Sequence, residues 1–367
     1  MLESIHGEAS WTLAHDRVKL AVSCRAGHLA PVEFQLGLRT VSPYALAPWS
    51  AAEADPSLPD LLKVLRGDFF CFPFGPQAEA PPHGASANHN WSLVDRGKDR
   101  LHLALDDPDS GGRVEKIVSL REGETAVYVE HRITGVEGRY SYGNHPILDF
   151  SQLSDGEGRV SLSPFRWASV YPGRFSDPSR LEAGALMPGG RFVDLREVPL
   201  AGGGTTDLTR YPAREGFDDL VMMVSSPNAE KQLFAWSAAV MDGYLWFSLK
   251  NPADFPATLL WISNGGRHAP PWNGRHLARM GIEEVCSHFS DGVDVSRGDL
   301  LAEESIPTTR WFDRDQEVQL RIVQGVAATA EKFGVVASIV PDGPQRVIIS
   351  DDAGLTLRVP VDWRYVF

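Results

Sequence analysis

"VKLAVSCRAGHLAPVEFQL", residues 18–36, reads as two strands joined by a turn. Val18, Leu20 and Val22 fall on alternate positions, the period-two signature of a strand with one buried face. The run stops at a glycine, Gly27, and resumes with Leu29 to Leu36. Strands are therefore predicted over 18–23 and 29–36, with "RAGHLAP" (25–31) as a hairpin turn rather than a phosphate loop.

The same signal recurs along the chain. LHLALD (101–106), VEKIVSLR (114–121) and TAVYVEHRI (125–133) are strand-like. So are RVSLSPF (159–165), DLVMMVSS (219–226), KQLFAWSA (231–238), YLWFSL (244–249), TLLWIS (258–263), EVQLRIV (317–323) and LTLRVPV (355–361). The 34 glycines and 26 prolines supply the turns that so many short strands need. Helical periodicity is weak: "PSLPDLLKVLRGDF" (56–69) is the best candidate, at two or three turns, and the stretch from Thr329 towards Val340 reads as either helix or strand. Strands alternating with helices of ten to fifteen residues, as a doubly wound fold requires, are not present. The predicted class is all-β, an antiparallel, sandwich-like architecture. No repeat or linker divides the chain, so residues 1–367 are expected to form a single domain, with 171–190 and 200–216 as loop excursions.

A chain of 367 residues can bury a large core without staples. Its three cysteines, Cys24, Cys71 and Cys286, are scattered, which gives no disulfide framework and no zinc or redox motif. Reduced thiols, the lack of a signal-like start and the lack of a long apolar run point to a cytoplasmic protein with no membrane partner. The net charge of −13 disfavours nucleic acid and anionic membranes as partners. Oligomeric state is open.

Walker, HExxH and G-x-S-x-G motifs are absent. "AGGGTT" (201–206) reads as a surface loop. Three stretches hold candidate chemistry. "PPHGASANHNW" (81–91) carries His83 and His89 in a Pro/Gly-rich loop. "YGNHPILDF" (142–150) carries His145, and Pro146 removes a backbone donor just after it, marking an edge or strand start where a side chain can face a cleft. "GIEEVCSHF" (281–289) carries two adjacent acids. On a strand, Glu283 and Glu284 face opposite ways. One can be solvated; the other, if inward, must be paired or used. Alternation alone does not say which. Glu284, Cys286 and His288 would share a face, a geometry poorly suited to wrapping a metal.

Taken in order, these stretches resemble the aldose 1-epimerase (galactose mutarotase-like) superfamily. "VKLAVSCRAGHLAPVEF" (18–34) is similar to its opening strands and Gly turn, and "FFCFPFG" (69–75) to its Phe-Pro segment. "PHGASANHNW" resembles its His-Gly loop, "NHPILDF" its strand-entry histidine, and "MGIEEV" its late glutamate segment. The resemblance spans roughly residues 15–325. It implies a large antiparallel β-supersandwich with a sugar-binding cleft, and an aldose 1-epimerase activity interconverting α and β anomers. It places the catalytic groups at His83, His145 and Glu283, the acid directly after the Gly-aliphatic pair; Glu284 stands where many members have proline, a departure that leaves it open as the alternative acid. Arg66, Asp242 and Trp272 are the implied sugar contacts. The hexose-phosphate branch often has an arginine near the position of Ala87, so its absence weakens the case for a phosphorylated sugar.

The implied chemistry needs no cofactor and no metal. A base takes the proton of the anomeric hydroxyl while an acid protonates the ring oxygen; the opened aldehyde rotates and recloses. Glu283 is the expected base, His145 the acid, and His83 the group that holds or polarises a hydroxyl. The alternative is a non-catalytic carbohydrate-binding protein of the same fold. A metal-dependent β-sandwich enzyme built on His83, His89 and a carboxylate is a further one.

Overall fold

In the computed structural model, residues 2–226 and 233–367 are described. The opening strands lie at Val18–Ser23 and Leu29–Leu36, where the alternation put them. With Glu3–Ile5, Glu8–His15 and Arg39–Val41 they form a five-stranded antiparallel sheet in chain order. Of the run at 231–238, Lys231 and Gln232 lie outside the described residues; its strand is Ala235–Val240.

Two larger sheets build the body. A nine-stranded sheet has Ala235–Val240, Tyr244–Lys250, Val318–Ala328 and Ala126–Thr134 at its centre. A seven-stranded sheet runs Phe165–Val170, Phe217–Ser225, Ala257–Asn264, Arg279–Cys286, Tyr142–Asn144 and Phe70–Cys71, with Ile147–Asp149 also paired to Arg279–Cys286. The strand pairings described within them are antiparallel, for example Ala126–Thr134 against Val318–Ala328. The main apolar core includes Val127, Val129, Trp246 and Ile322 from the nine-stranded sheet and Leu260 and Ile282 from the seven-stranded one.

The nine-stranded sheet is also covered on its other face. Tyr128, Phe247, Leu249 and Val323 pack there against Ile339, Val347, Ile349 and Val359. These belong to a three-stranded sheet, Val336–Pro341, Arg346–Asp351 and Thr356–Pro360. Of the stretch after Thr329, only Val336–Pro341 is strand.

The expected helix over 56–69 shrinks to one turn, Asp60–Lys63. Pro59 starts it. Beyond Val64 the backbone is taken by tertiary pairing: Leu65 O accepts from Ala47 N at 2.9 Å, and Gly67 N donates to Ala45 O at 2.8 Å. A helix needs those groups for itself. The glycine run at 202–204 lies in the connection between Val198–Pro199 and Thr205–Thr206, a short antiparallel pair.

Candidate active site

The segment around "MGIEEV" is the central strand Arg279–Cys286. On one side it pairs Leu259 with Glu283 and Trp261 with Gly281. On the other, Asn144 lies opposite Glu284 and Ile147 opposite Gly281. The two registers are continuous, so His145 sits directly across from Glu283. His145 and Glu283 form a non-hydrogen-bonded pair, in which cross-strand side chains come closest. His145 N points the other way and donates to Phe69 O, beside the adjoining strand Phe70–Cys71, and to Asp68 Oδ1, both at 3.0 Å. At the next pair Ile282 N donates to Pro146 O at 2.9 Å, and Pro146 has no N–H to return. The imidazole reaches Glu283 across the pair: His145 Nε2 is 3.1 Å from Glu283 Oε1.

Room for this carboxyl comes from Gly281, two residues earlier on the same face. A Cβ there would lie 2.6 Å from Glu283 Oε1. Phe69 stacks on His145, with centroids 4.5 Å apart and planes at 21°. His28 stacks at the same distance and angle on Phe69, fixing the ring from behind.

His83 approaches from the His-Gly loop, its ring centroid 5.5 Å from that of His145. The loop is strapped to the Phe-Pro segment: Ser86 Oγ donates to Phe70 O at 2.8 Å and accepts from Phe72 N at 2.9 Å. Gly84 has φ +72°, and a Cβ on it would strike Phe72 O at 1.9 Å, so only glycine lets the loop lie this close. Gly75 N donates to His83 Nδ1 at 3.3 Å. That leaves the proton of the neutral ring on Nε2. Burial lowers the pKa of His83 to about 4, so at neutral pH the ring is an uncharged hydrogen-bond donor.

His83, His145 and Glu283 line one cleft of roughly 490 Å³, counting its open mouth. Its walls are Leu61, Leu62, Leu65, Phe69, Leu220 and Trp261, with Phe175, Arg267, Trp272 and Ser290. Apolar and aromatic walls around a few polar groups are the usual make-up of a small-molecule site. Burial acts on the central pair. It holds the His145 imidazolium well below its ordinary range, with His83 nearby adding to the effect. It pushes the Glu283 carboxyl well above the carboxylate range, opposed by the charge of Arg267. Both directions favour an uncharged pair sharing one proton.

Glu284 faces the other way, into the space between the sheets. Lys250 Nζ lies 2.5 Å from its Oε2, and Ser237 Oγ and Thr258 Oγ1 each donate to it at 2.7 Å. This carboxylate is buried and fully paired, and does not line the cleft. Cys286 and His288 do not join it: Cys286 Sγ lies 3.8 Å from Pro307 O, and His288 Nδ1 contacts Asp291 Oδ2 at 2.8 Å. Among the described residues no group of three or more His, Cys, Asp or Glu side chains is placed to hold a metal ion. His89 is exposed and apart from His83.

Of the expected sugar contacts, Trp272 lines the cleft, edge-on to Trp261 at 5.8 Å. Arg66 does not. It is buried behind the site, donating to Val64 O, Ile5 O and His6 O, and so ties the first hairpin to the segment preceding Phe69. Asp242 lies in an exposed hairpin turn, paired with Arg39 at 2.8 Å beside a different depression. Its sequence neighbourhood gave no face, and the turn carries it away from the strands that build the cleft.

Arg267 was not singled out from sequence. Its backbone follows Ala257–Asn264, and its guanidinium carbon lies 5.1, 5.5 and 5.2 Å from the ring centres of Phe175, Trp261 and Trp272. Asp218, 3.4 Å from Arg267 Nε, anchors it. Asp218 in turn accepts from Ser263 Oγ, Asn264 N and Gly266 N. "NGGR" (264–267) after an apolar strand was the one available signal, and without the fold it reads as an ordinary turn.

No family model matches the sequence, and no curated protein is significantly similar to it. Solved structures are similar in fold. A galactose mutarotase related enzyme from Lactobacillus acidophilus superposes with TM-score 0.55 at 12% identity, over 88% of this chain and 98% of that one. A galactose mutarotase-like protein from Lactobacillus casei superposes with TM-score 0.56 at 12% identity, over 87% of this chain and 100% of that one. The fold is thus a large antiparallel β-supersandwich. More narrowly, it is the galactose mutarotase-like fold.

Proposed function

We propose that this chain is an aldose 1-epimerase-like enzyme that interconverts the α and β anomers of a sugar. The observation that carries the reading is the 3.1 Å contact between His145 Nε2 and Glu283 Oε1, on the floor of an aromatic-walled cleft that His83 also lines.

Mutarotation asks for one acid and one base acting together. A buried His–Glu pair holding a single proton meets that demand whichever partner carries it. With the proton on His145, Glu283 takes the anomeric hydroxyl's proton and His145 delivers one to the ring oxygen. With the proton on Glu283, the same pair works in the opposite sense. Either way the pair ends with the proton count it began with, so reclosure on the other face needs no outside proton. Each positioned transfer contributes on the order of 10²–10⁴-fold. His83, a neutral Nε2–H donor, suits a hydroxyl or the carbonyl oxygen formed on opening. Trp261 and Trp272 offer apolar area to a sugar ring.

The test is anomer exchange by NMR with a panel of aldoses, uronates and hexose 6-phosphates, comparing wild type with Glu283→Gln. Exchange above the spontaneous rate that disappears in the variant supports the enzyme. Saturable sugar binding with no exchange in wild type would replace it with a carbohydrate-binding protein.

A further inference from the structure

Among the described residues that line the cleft, Arg267 is the only permanently charged side chain. Its surroundings leave it short of partners. The contact with Asp218 is at 3.4 Å through Nε, and Nε makes no hydrogen bond of good geometry. Asp218 is itself occupied by Ser263 Oγ at 2.9 Å, Asn264 N at 3.2 Å and Gly266 N at 2.9 Å. Three aromatic rings lie within 5.5 Å of the guanidinium carbon and offer no strong acceptor. A guanidinium has five N–H donors; the Nε of Arg267 is buried without a hydrogen-bond partner, which is costly, while its Nη donors stay open to an acceptor. Held between rings and fixed at one end by Asp218, the fork is preorganised for an acceptor arriving through the cleft.

Its place relative to the reacting pair is also defined. The Trp261 ring centroid is 5.7 Å from that of His145 and 5.5 Å from the Arg267 guanidinium carbon. One indole thus lies beside both groups, which are no more than about 11 Å apart, so a single pyranose ring with a substituent remote from the anomeric centre can meet both.

We propose that Arg267 is the specificity-determining residue of this site and selects a monosaccharide bearing a carboxylate, a uronate-type sugar; the inference rests on the epimerase reading above for the placement of the ring. A carboxylate matches a guanidinium fork with two parallel hydrogen bonds and one charge. A phosphate dianion is a poorer match, because a single arginine already facing Asp218 leaves most of the added charge uncompensated between apolar walls.

The experiment is calorimetric titration of the full-length protein with glucuronate, glucose and glucose 6-phosphate, in wild type and in Glu283→Gln. The second protein reads binding without turnover, so the result does not depend on whether anomer exchange is ever seen. Glucuronate is expected to bind about tenfold or more tighter than glucose in both proteins. Arg267→Gln is expected to abolish that preference, and Arg267→Lys, which keeps the charge but not the fork, to retain only part of it. Should Arg267→Gln not fold, the lysine variant decides: an undiminished preference there overturns the proposal. Equal binding of glucose and glucuronate, a preference that survives Arg267→Gln, tightest binding of glucose 6-phosphate, or no binding of any of the three would each overturn it as well.

Discussion

Glu283 and Glu284 are neighbours in sequence and occupy opposite faces of one strand, the first against His145 in the cleft and the second against Lys250 between the sheets. Two chemically identical side chains therefore answer to different measurements. Glu283→Gln is expected to lower anomer exchange by about 10²-fold or more while leaving thermal stability nearly unchanged. Glu284→Gln removes the partner of a buried ammonium and is expected to destabilise the fold by about 3–5 kcal/mol. Denaturant melts beside exchange rates would separate them; the opposite assignment of losses would exchange their roles.

Gly281→Ala tests the geometry of the same face. The added methyl would lie 2.6 Å from Glu283 Oε1 and 3.2 Å from Trp261 Cβ. The carboxyl can swing aside, whereas the strand has less freedom. The expected result is a loss of exchange at least tenfold (~1.4 kcal/mol of barrier) in a protein that still folds. A Gly281→Ala protein of wild-type rate would show that Glu283 does not work from this position.

The pH profile of exchange follows from the buried pair. The second proton of the pair must charge the imidazole, and burial lowers the pKa of His145. The acid limb is therefore expected below the ordinary imidazole value of about 6.5, with no fall in rate as pH drops through it. An inflection at that ordinary value, seen in kcat/KM, would place a solvated histidine in control instead.

Stability has its own pH dependence. His28, His131 and His276 are held well below their ordinary pKa, burial being the first cause in each case. Below about pH 6.5 the unfolded chain takes up protons that these folded rings refuse, so stability falls as pH falls. Each ring contributes a slope of about 1.4 kcal/mol per pH unit. Asp68 and Asp218, raised to about 6 by burial, act in the opposite sense between roughly pH 4 and 6. His131 lies outside the cleft, stacked on Phe70 at 3.9 Å. His131→Gln is expected to remove about half to three-quarters of one proton's slope between pH 6.5 and 6, measured by urea unfolding at closely spaced pH. An unchanged slope would mean that the ring binds protons equally in the folded and unfolded states.

Strands with one clear periodicity were the legible part of this chain. Val18–Ser23 and Leu29–Leu36 end where their alternation ends. Tyr244–Lys250 and Ala257–Asn264 are buried at every position. Their apolar runs marked strands without revealing which side chains face which layer. The site divides similarly. His83, His145 and Glu283 lie in motifs whose order could be recognised, and the cross-strand register brings two of them into contact. The choice between Glu283 and Glu284 needed Lys250, which is distant in sequence and whose pairing depends on the nine-stranded sheet. Arg66 and Asp242 were misplaced because a charged residue beside a motif carries no information about its face. Arg267 was missed because three aromatic rings from separate segments give it its setting.

The three-stranded sheet over the back of the nine-stranded one bears on how solvent reaches the interior. Tyr244–Lys250 is flanked by Ala235–Val240 and Val318–Ala328 and has side chains packed on both faces. Its amide hydrogens cannot be freed by fraying at an edge. Detachment of Val336–Pro341, Arg346–Asp351 and Thr356–Pro360 exposes Phe247 and Leu249 on one side yet leaves both flanking ladders intact. Exchange with deuterium at Tyr244–Lys250 thus requires a deeper opening than the one that releases the cover, and the two segments divide the molecule into an early and a late exchanging unit.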